Sequence, residues 1–270
     1  LLNRDYDLAS FFKRRFTRIL VPFFFWIVVI AFLKFTVFGD SFSKILDWCV
    51  GNPGLTWYIW ELIGLYFFVP VLNSFVKEYG MQAVKYYLAI WFVTVLLKAF
   101  SLDPLPYLNL QYFAGYVGLM LLGYYLVNRR FTIPDRALML ISVILFIGSY
   151  IFNITSSLAT GETVDYLFIT MIVQSVAVFV FVQSLARDSQ SNPNALLSRI
   201  HNRIEKSKAG AFVVSISVCS YGMYFVHYII CQVFKSMGIK SLKLIPVLFV
   251  VAVVMSWIVT LILSRVPILD

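Results

Sequence analysis

The stretch Phe11-Phe12-Lys13-Arg14-Arg15-Phe16-Thr17-Arg18-Ile19-Leu20-Val21-Pro22 sets cations at a spacing that bears on chemistry. Arg15 and Arg18 are three apart, hence on one helical face, one turn into the membrane interface. A guanidinium fork grips two phosphate oxygens at once, which an ammonium does less well. An Arg-x-x-Arg face beneath a proline-interrupted helix start suits the phosphates of a nucleotide-like donor on the cytoplasmic side. A plain positive anchor at the membrane boundary is the other reading.

Two further groups stand inside apolar runs. Glu61, in Thr56-Trp57-Tyr58-Ile59-Trp60-Glu61-Leu62-Ile63-Gly64, is the one acidic residue of 13 set well within a span. A carboxylate there must face a polar interior, be paired, or be protonated. Trp57 shares its face at i−4, and Trp57, Tyr58 and Trp60 read either as a ligand wall or as an interfacial aromatic belt. His227, in Ser217-Val218-Cys219-Ser220-Tyr221-Gly222-Met223-Tyr224-Phe225-Val226-His227, is the one histidine in a span. At 1.5 Å per residue it lies about 24 Å along an outward helix, and Glu61 about 9 Å along one entering from outside. Both depths fall in the outer half, so a Glu61–His227 pair is an expectation, with a packing histidine as the alternative.

The elements that must position these groups follow from composition. Of 270 residues, 61% are hydrophobic and 13% charged. Soluble domains carry about 45–50% apolar and about 25% charged residues, so this chain has more apolar surface than a soluble core could bury. Soluble enzyme, disordered chain and disulfide scaffold are excluded. Cys49, Cys219 and Cys231 form no CxxC pair, and no metal site is expected. The formal charge of +9 sits at span ends rather than on one helix face, which argues against nucleic acid and for the lipid bilayer as partner.

About 20 apolar residues cross roughly 30 Å of hydrocarbon. Eight segments qualify: 20–39, 55–76, 81–100, 111–128, 136–154, 164–186, 211–234 and 243–264. None alternates as a barrel strand does, and backbone in lipid must satisfy itself, so the fold class is an all-α polytopic transmembrane bundle. With the N-terminus inside, 16 of the 22 Lys and Arg fall inside, and the 6 outside are all lysine. The positive-inside rule then gives N-in, C-in. Residues 187–210 form the longest cytoplasmic loop, with a short helix expected over 195–206. The outside loop 40–54 ends in the turn Gly51-Asn52-Pro53-Gly54. The remaining buried amides, Asn73, Gln111, Gln174, Gln183 and Gln232, are assigned to interhelical hydrogen bonds.

The order LLNRDYDLASFFKRRFTRILVPFFFW, LTWYIWELIGLYFFVPVL, SYGMYFVHYII resembles the membrane acyltransferase-3 family, bacterial multipass enzymes that O-acylate surface glycans. The stretch YFAGYVGLMLLGYYL at 112–126 has the same look. The resemblance covers essentially all of residues 1–270, read as a single integral membrane acyltransferase-like domain. It implies a plasma (inner) membrane location in bacteria. It also implies transfer from cytoplasmic acyl-CoA, most simply acetyl-CoA, to a hydroxyl of a cell-surface polysaccharide or lipid-linked glycan. Arg15 and Arg18, with Arg14 adjoining, match the family motif implicated in acyl-CoA binding. Trp57 and Trp60 become candidates for acceptor binding, and Glu61 and His227 for supporting catalytic roles.

Two departures accompany the resemblance. Family members carry two earlier helices, making about ten, with an Arg followed about ten residues later by the His regarded as catalytic. The chain instead opens at Leu1, so it reads as N-terminally truncated and, by itself, inactive. Where a subgroup has His-Leu-Trp, this sequence has Leu55-Thr56-Trp57. The alternative function is a multipass transporter or flippase for a glycan or small molecule. Such proteins usually show repeat symmetry and paired broken helices, and no such pair is found in this sequence.

Overall fold

A computed structural model describes residues 2–50, 57–100, 102, 109–129, 131–162, 164–192, 194, 196–238 and 245–264. Among them the regular structure is helical: α1 Leu8–Thr36, α2 Phe42–Val50, α3 Trp57–Ala99, α4 Tyr116–Asn128, α5 Asp135–Thr160, α6 Ile169–Ser191, α7 Leu196–Glu205, α8 Lys208–Ser236 and α9 Ile245–Leu263, with a 3-10 turn at Leu110–Phe113. Helices α1, α3, α5, α6 and α8 are long and apolar enough to cross a membrane, and α4 and α9 are shorter apolar helices. The protein is a multipass helical membrane protein.

All eight expected segments overlap helix, with two adjustments. Segments 55–76 and 81–100 fall together in the 43-residue α3, interrupted at Gly80, whose φ of 58° and ψ of −140° are not helical. Segment 111–128 is α-helical only over the 13 residues of α4, about 20 Å at 1.5 Å per residue. Loop 40–54 is not open loop: α2 occupies most of it. Ile45 and Trp48, three apart, give that short helix a buried face, while Lys44 and Asp47 stay exposed. The Gly51–Gly54 turn lies outside the described residues. Helix α7 agrees with the short helix expected over 195–206.

The chain divides into two compact units. One comprises residues 6–66 and 208–270. Its α1 starts at Asp7, whose carboxylate accepts the Ser10 N–H at 2.9 Å. That hydrogen bond holds the Asp7 carboxyl below the ordinary aspartate range. A depressed carboxyl supports the helix start above its usual pKa, and the support is lost as pH falls through its lower folded value. Phe23, Trp26 and Ile30 of α1 recur at three and four residues and bury in one cluster with Ile59, Phe225, Val226 and Ile230. Trp26 stacks on Phe225 at 5.9 Å between centroids and 6° between planes.

The other unit comprises residues 1–5 and 67–207. Asn73 holds the N-terminal segment through both amide atoms: its Oδ1 accepts from Arg4 N at 3.1 Å and its Nδ2 donates to Arg4 O at 2.9 Å. Lys77 pairs with Asp5. Helices α5 and α6 bury small and hydroxyl side chains, Ser142 and Ser149 on one and Ala177 and Ser184 on the other. Asn153 accepts from the Thr170 hydroxyl, a bond between α5 and α6. The outward face of α5 is apolar, with Leu140, Ile144, Ile147 and Ile151 exposed, as lipid requires.

Asp188 of α6 is 4% exposed and accepts from Arg136 Nε at 3.3 Å and Asn192 Nδ2 at 3.0 Å. Arg136→Met removes one charged donor from that buried carboxylate. Because the Arg136 side chain is itself 62% exposed, the expected loss is about 1–3 kcal/mol rather than the full value of a buried pair. Thermal unfolding in detergent checks this, and adding Asp188→Asn is expected to recover most of the loss.

Candidate functional site

Helix α1 carries Arg15 and Arg18 toward the first turns of α3 and the middle of α8. The Arg15 guanidinium lies 5.9 Å from the centre of the Tyr66 ring, a cation–π contact. Tyr66 in turn walls a cavity of about 570 Å³, which Arg18, Pro22, Trp26, Tyr221, Gly222, Thr260 and Ser264 also line. Of the two arginines, Arg18 lines the cavity, and Arg15 adjoins it only through the Tyr66 ring. Arg18 is exposed and has no ion-pair partner among the described residues. No carboxylate lines the cavity.

Local chemistry explains the shape. Pro22 lacks the N–H that would close on the Arg18 carbonyl, so the helix is loosened at that turn. Tyr221 fastens the same turn from α8 by donating its hydroxyl to Ile19 O at 2.9 Å. On the opposite wall, a Cβ at Gly222 would meet the Thr260 Cγ2 methyl, so glycine lets α8 and α9 approach closely. Thr260 is 8% exposed, and its hydroxyl has no hydrogen-bond partner among the described residues. An unpaired buried hydroxyl costs free energy unless a ligand satisfies it. Cation at the mouth, aromatic walls and an unmet hydroxyl suit a ligand with an anionic group and a partly polar tail.

The remaining candidates sit elsewhere. Arg14 is exposed, donates its Nε to Ser10 O at 3.2 Å, and does not line the cavity. Trp60 packs edge-on to Phe23 at 5.6 Å, and Trp57 packs edge-on to Tyr58 at 6.0 Å. Glu61 is half-buried. None of these three lines the cavities described here. The expected Glu61–His227 pair is not formed: His227 Nδ1–H donates to Met223 O of its own helix at 3.0 Å, and no ion pair joins His227 to Glu61. Equal depth did not supply a facing azimuth. His227 lies instead in a separate apolar groove of about 670 Å³ between α8 and α9, with Met223, Cys231, Phe249 and Ala252. With Nδ1 committed, Nε2 is the ring's basic nitrogen.

Tyr66, Tyr221 and Thr260 were not among the residues singled out by spacing. Tyr221 stood within the quoted SYGMYFVHY segment, and Thr260 interrupts an otherwise apolar run, but neither signal says that both meet Arg18. The His201 side chain and Leu55-Thr56 lie outside the described residues.

Neither the curated proteins nor the solved structures give a match. The family model described as an acyltransferase domain matches residues 1–265. With five helices long and apolar enough to cross a membrane among the described residues, this match shows that the chain belongs to the acyltransferase-3 family of membrane acyltransferases.

Proposed function

We propose that the protein takes its acyl group from a cytoplasmic acyl-CoA, acetyl-CoA in the simplest case, and moves it to a hydroxyl of a cell-surface polysaccharide or lipid-linked glycan. The location is the bacterial plasma membrane, N-in and C-in. The observation that carries this reading is Arg18 at the cavity, exposed and without an ion-pair partner among the described residues, with Arg15 nearby on the Tyr66 ring. Two guanidiniums three residues apart match the pyrophosphate and ribose phosphate of coenzyme A. The Tyr66, Trp26 and Tyr221 walls and the Thr260 hydroxyl then take the amide-bearing arm. Arg14 adds positive potential from the exposed side rather than direct contact.

In the transfer, the acceptor oxygen attacks the acyl carbonyl carbon, on the thioester itself or on a relay that the thioester has acylated. The C–O bond forms, the C–S bond breaks, and the hydroxyl proton passes to a base and finally to the departing thiolate. His227, with Nδ1–H fixed and Nε2 basic, and the half-buried Glu61 are assigned supporting roles in orienting or stabilising the acceptor. Trp57 and Trp60 are assigned to acceptor binding. Membranes bearing the natural protein, supplied with acetyl-labelled acetyl-CoA, are expected to place label in alkali-labile esters of the glycan fraction. Label that stays in acetyl-CoA, with the glycan fraction unlabelled, overturns the reading. Glu61→Gln and His227→Ala are expected to slow the transfer at unchanged protein level.

A further inference from the structure

At the far end of α1 lies a second, smaller polar cavity of about 150 Å³, walled by Lys34, Asp40, Tyr228, Gln232, Ile229 and Phe38. Arg15 and Lys34 are 19 residues apart on one helix, about 28 Å at 1.5 Å per residue, close to the roughly 30 Å hydrocarbon thickness. The two cavities therefore lie at opposite ends of α1, about one hydrocarbon thickness apart.

Four polar side chains are held here within an apolar surround. Gly39, at φ +68°, turns the chain back after α1. Asp40 N–H thereby reaches Lys34 O at 2.9 Å, and Lys34 Nζ donates to Asp40 Oδ2 at 3.2 Å. The pair is largely shielded, its side chains 18% and 28% exposed. The Lys34 ammonium also stands 5.5 Å from the Trp48 ring centre, and Trp48 stacks on Tyr228 at 6.0 Å. Trp48 is buried under α2, so this short helix fixes the Tyr228 ring. Gln232 and the Tyr228 hydroxyl, both half-buried on α8, have no hydrogen-bond partner among the described residues. The interhelical bond expected for Gln232 is not formed among the described residues.

The cavity thus offers open donors and acceptors on every polar wall: spare Nζ hydrogens, Asp40 Oδ1, a phenol and a carboxamide. Water can reach these groups, and at about 30 Å³ per water the volume equals about five waters. A set of hydroxyls carried on one small rigid ring satisfies the same groups at lower ordering cost. We propose that this cavity seats one pyranose unit of the acceptor glycan, with Gln232, Tyr228 and the Lys34–Asp40 pair reading its hydroxyls. The proposal rests on the acyl-transfer reading above, which places the acceptor opposite the Arg15–Arg18 end of α1.

The test is saturation-transfer NMR on the protein in nanodiscs, with methyl β-glucopyranoside, methyl β-galactopyranoside and methyl α-mannopyranoside as probes. At least one is expected to bind saturably. Gln232→Leu and Tyr228→Phe should each weaken it, up to about tenfold for loss of one hydrogen bond. Arg18→Ala should leave it unchanged. Absence of saturable binding by all three, equal binding by the open-chain polyol mannitol, or full binding by the variants overturns the proposal. If Gln232→Leu does not fold, the single-oxygen variant Tyr228→Phe decides. Acetyl-CoA titrated into the same samples separates the two claims. Coenzyme binding without sugar binding sinks this cavity assignment, and sugar binding without coenzyme binding sinks the donor assignment.

Discussion

Arg18→Ala is expected to weaken acetyl-CoA binding by about 10- to 150-fold, the range for losing one charge-assisted hydrogen bond of about 1.5–3 kcal/mol. Arg18 lines the cavity and has no ion-pair partner among the described residues, so its charge is available to a ligand. Arg15→Ala should cost less, because its guanidinium already gains from the Tyr66 face. Arg18→Lys should recover the charge but not the paired geometry, giving an intermediate affinity. Arg14→Ala supplies the control, with less than about threefold change expected, since Arg14 is exposed and its Nε is engaged by Ser10 O. Isothermal titration in nanodiscs measures all four. Equal losses at Arg14 and Arg18 would reduce the site to a diffuse positive patch.

The second large effect concerns the wall opposite those arginines. Gly222→Ala puts a methyl group against Thr260 Cγ2, and Thr260 is too buried to swing clear. Overpacking of this kind costs about 1–3 kcal/mol. Thr260→Ser removes the offending methyl and keeps the hydroxyl. The double variant Gly222→Ala, Thr260→Ser is therefore expected to regain most of the lost thermal stability and, with it, acetyl-CoA affinity. A double variant as unstable as Gly222→Ala would mean that the crossing of α8 and α9 is held by something other than this contact.

The helices and the Arg15–Arg18 face were legible because hydropathy runs and a three-residue spacing are properties of one segment at a time. What was not legible depends on direction around a helix. The rise per residue set Glu61 and His227 at similar depths, yet His227 bonds back to Met223 and looks into a groove with α9. Rise fixes height, and packing fixes azimuth. The same limit hid Tyr66, Tyr221 and Thr260, which meet Arg18 only because three other helices converge on α1. Helix α2 was missed for a different reason: nine residues are too few for a span, and the turn residues after it pointed to loop. Its buried pair, Ile45 and Trp48, was the available signal. Gln232 shows the converse, an amide that sequence assigned to helix pairing and the structure leaves open toward a cavity.

The serine and alanine seam between α5 and α6 has a thermal consequence. In lipid, apolar side chains gain nothing by leaving one hydrocarbon surrounding for another, so this pair is held by close contact and hydrogen bonds rather than by expulsion of water. The heat-capacity change of protein unfolding comes from hydrating apolar surface, and parting two helices inside a bilayer hydrates almost none. Their separation should therefore carry a heat-capacity change near zero. The strength of the seam then falls almost as a straight line with warming, without the maximum near room temperature that water-soluble domains show, and cooling does not weaken it.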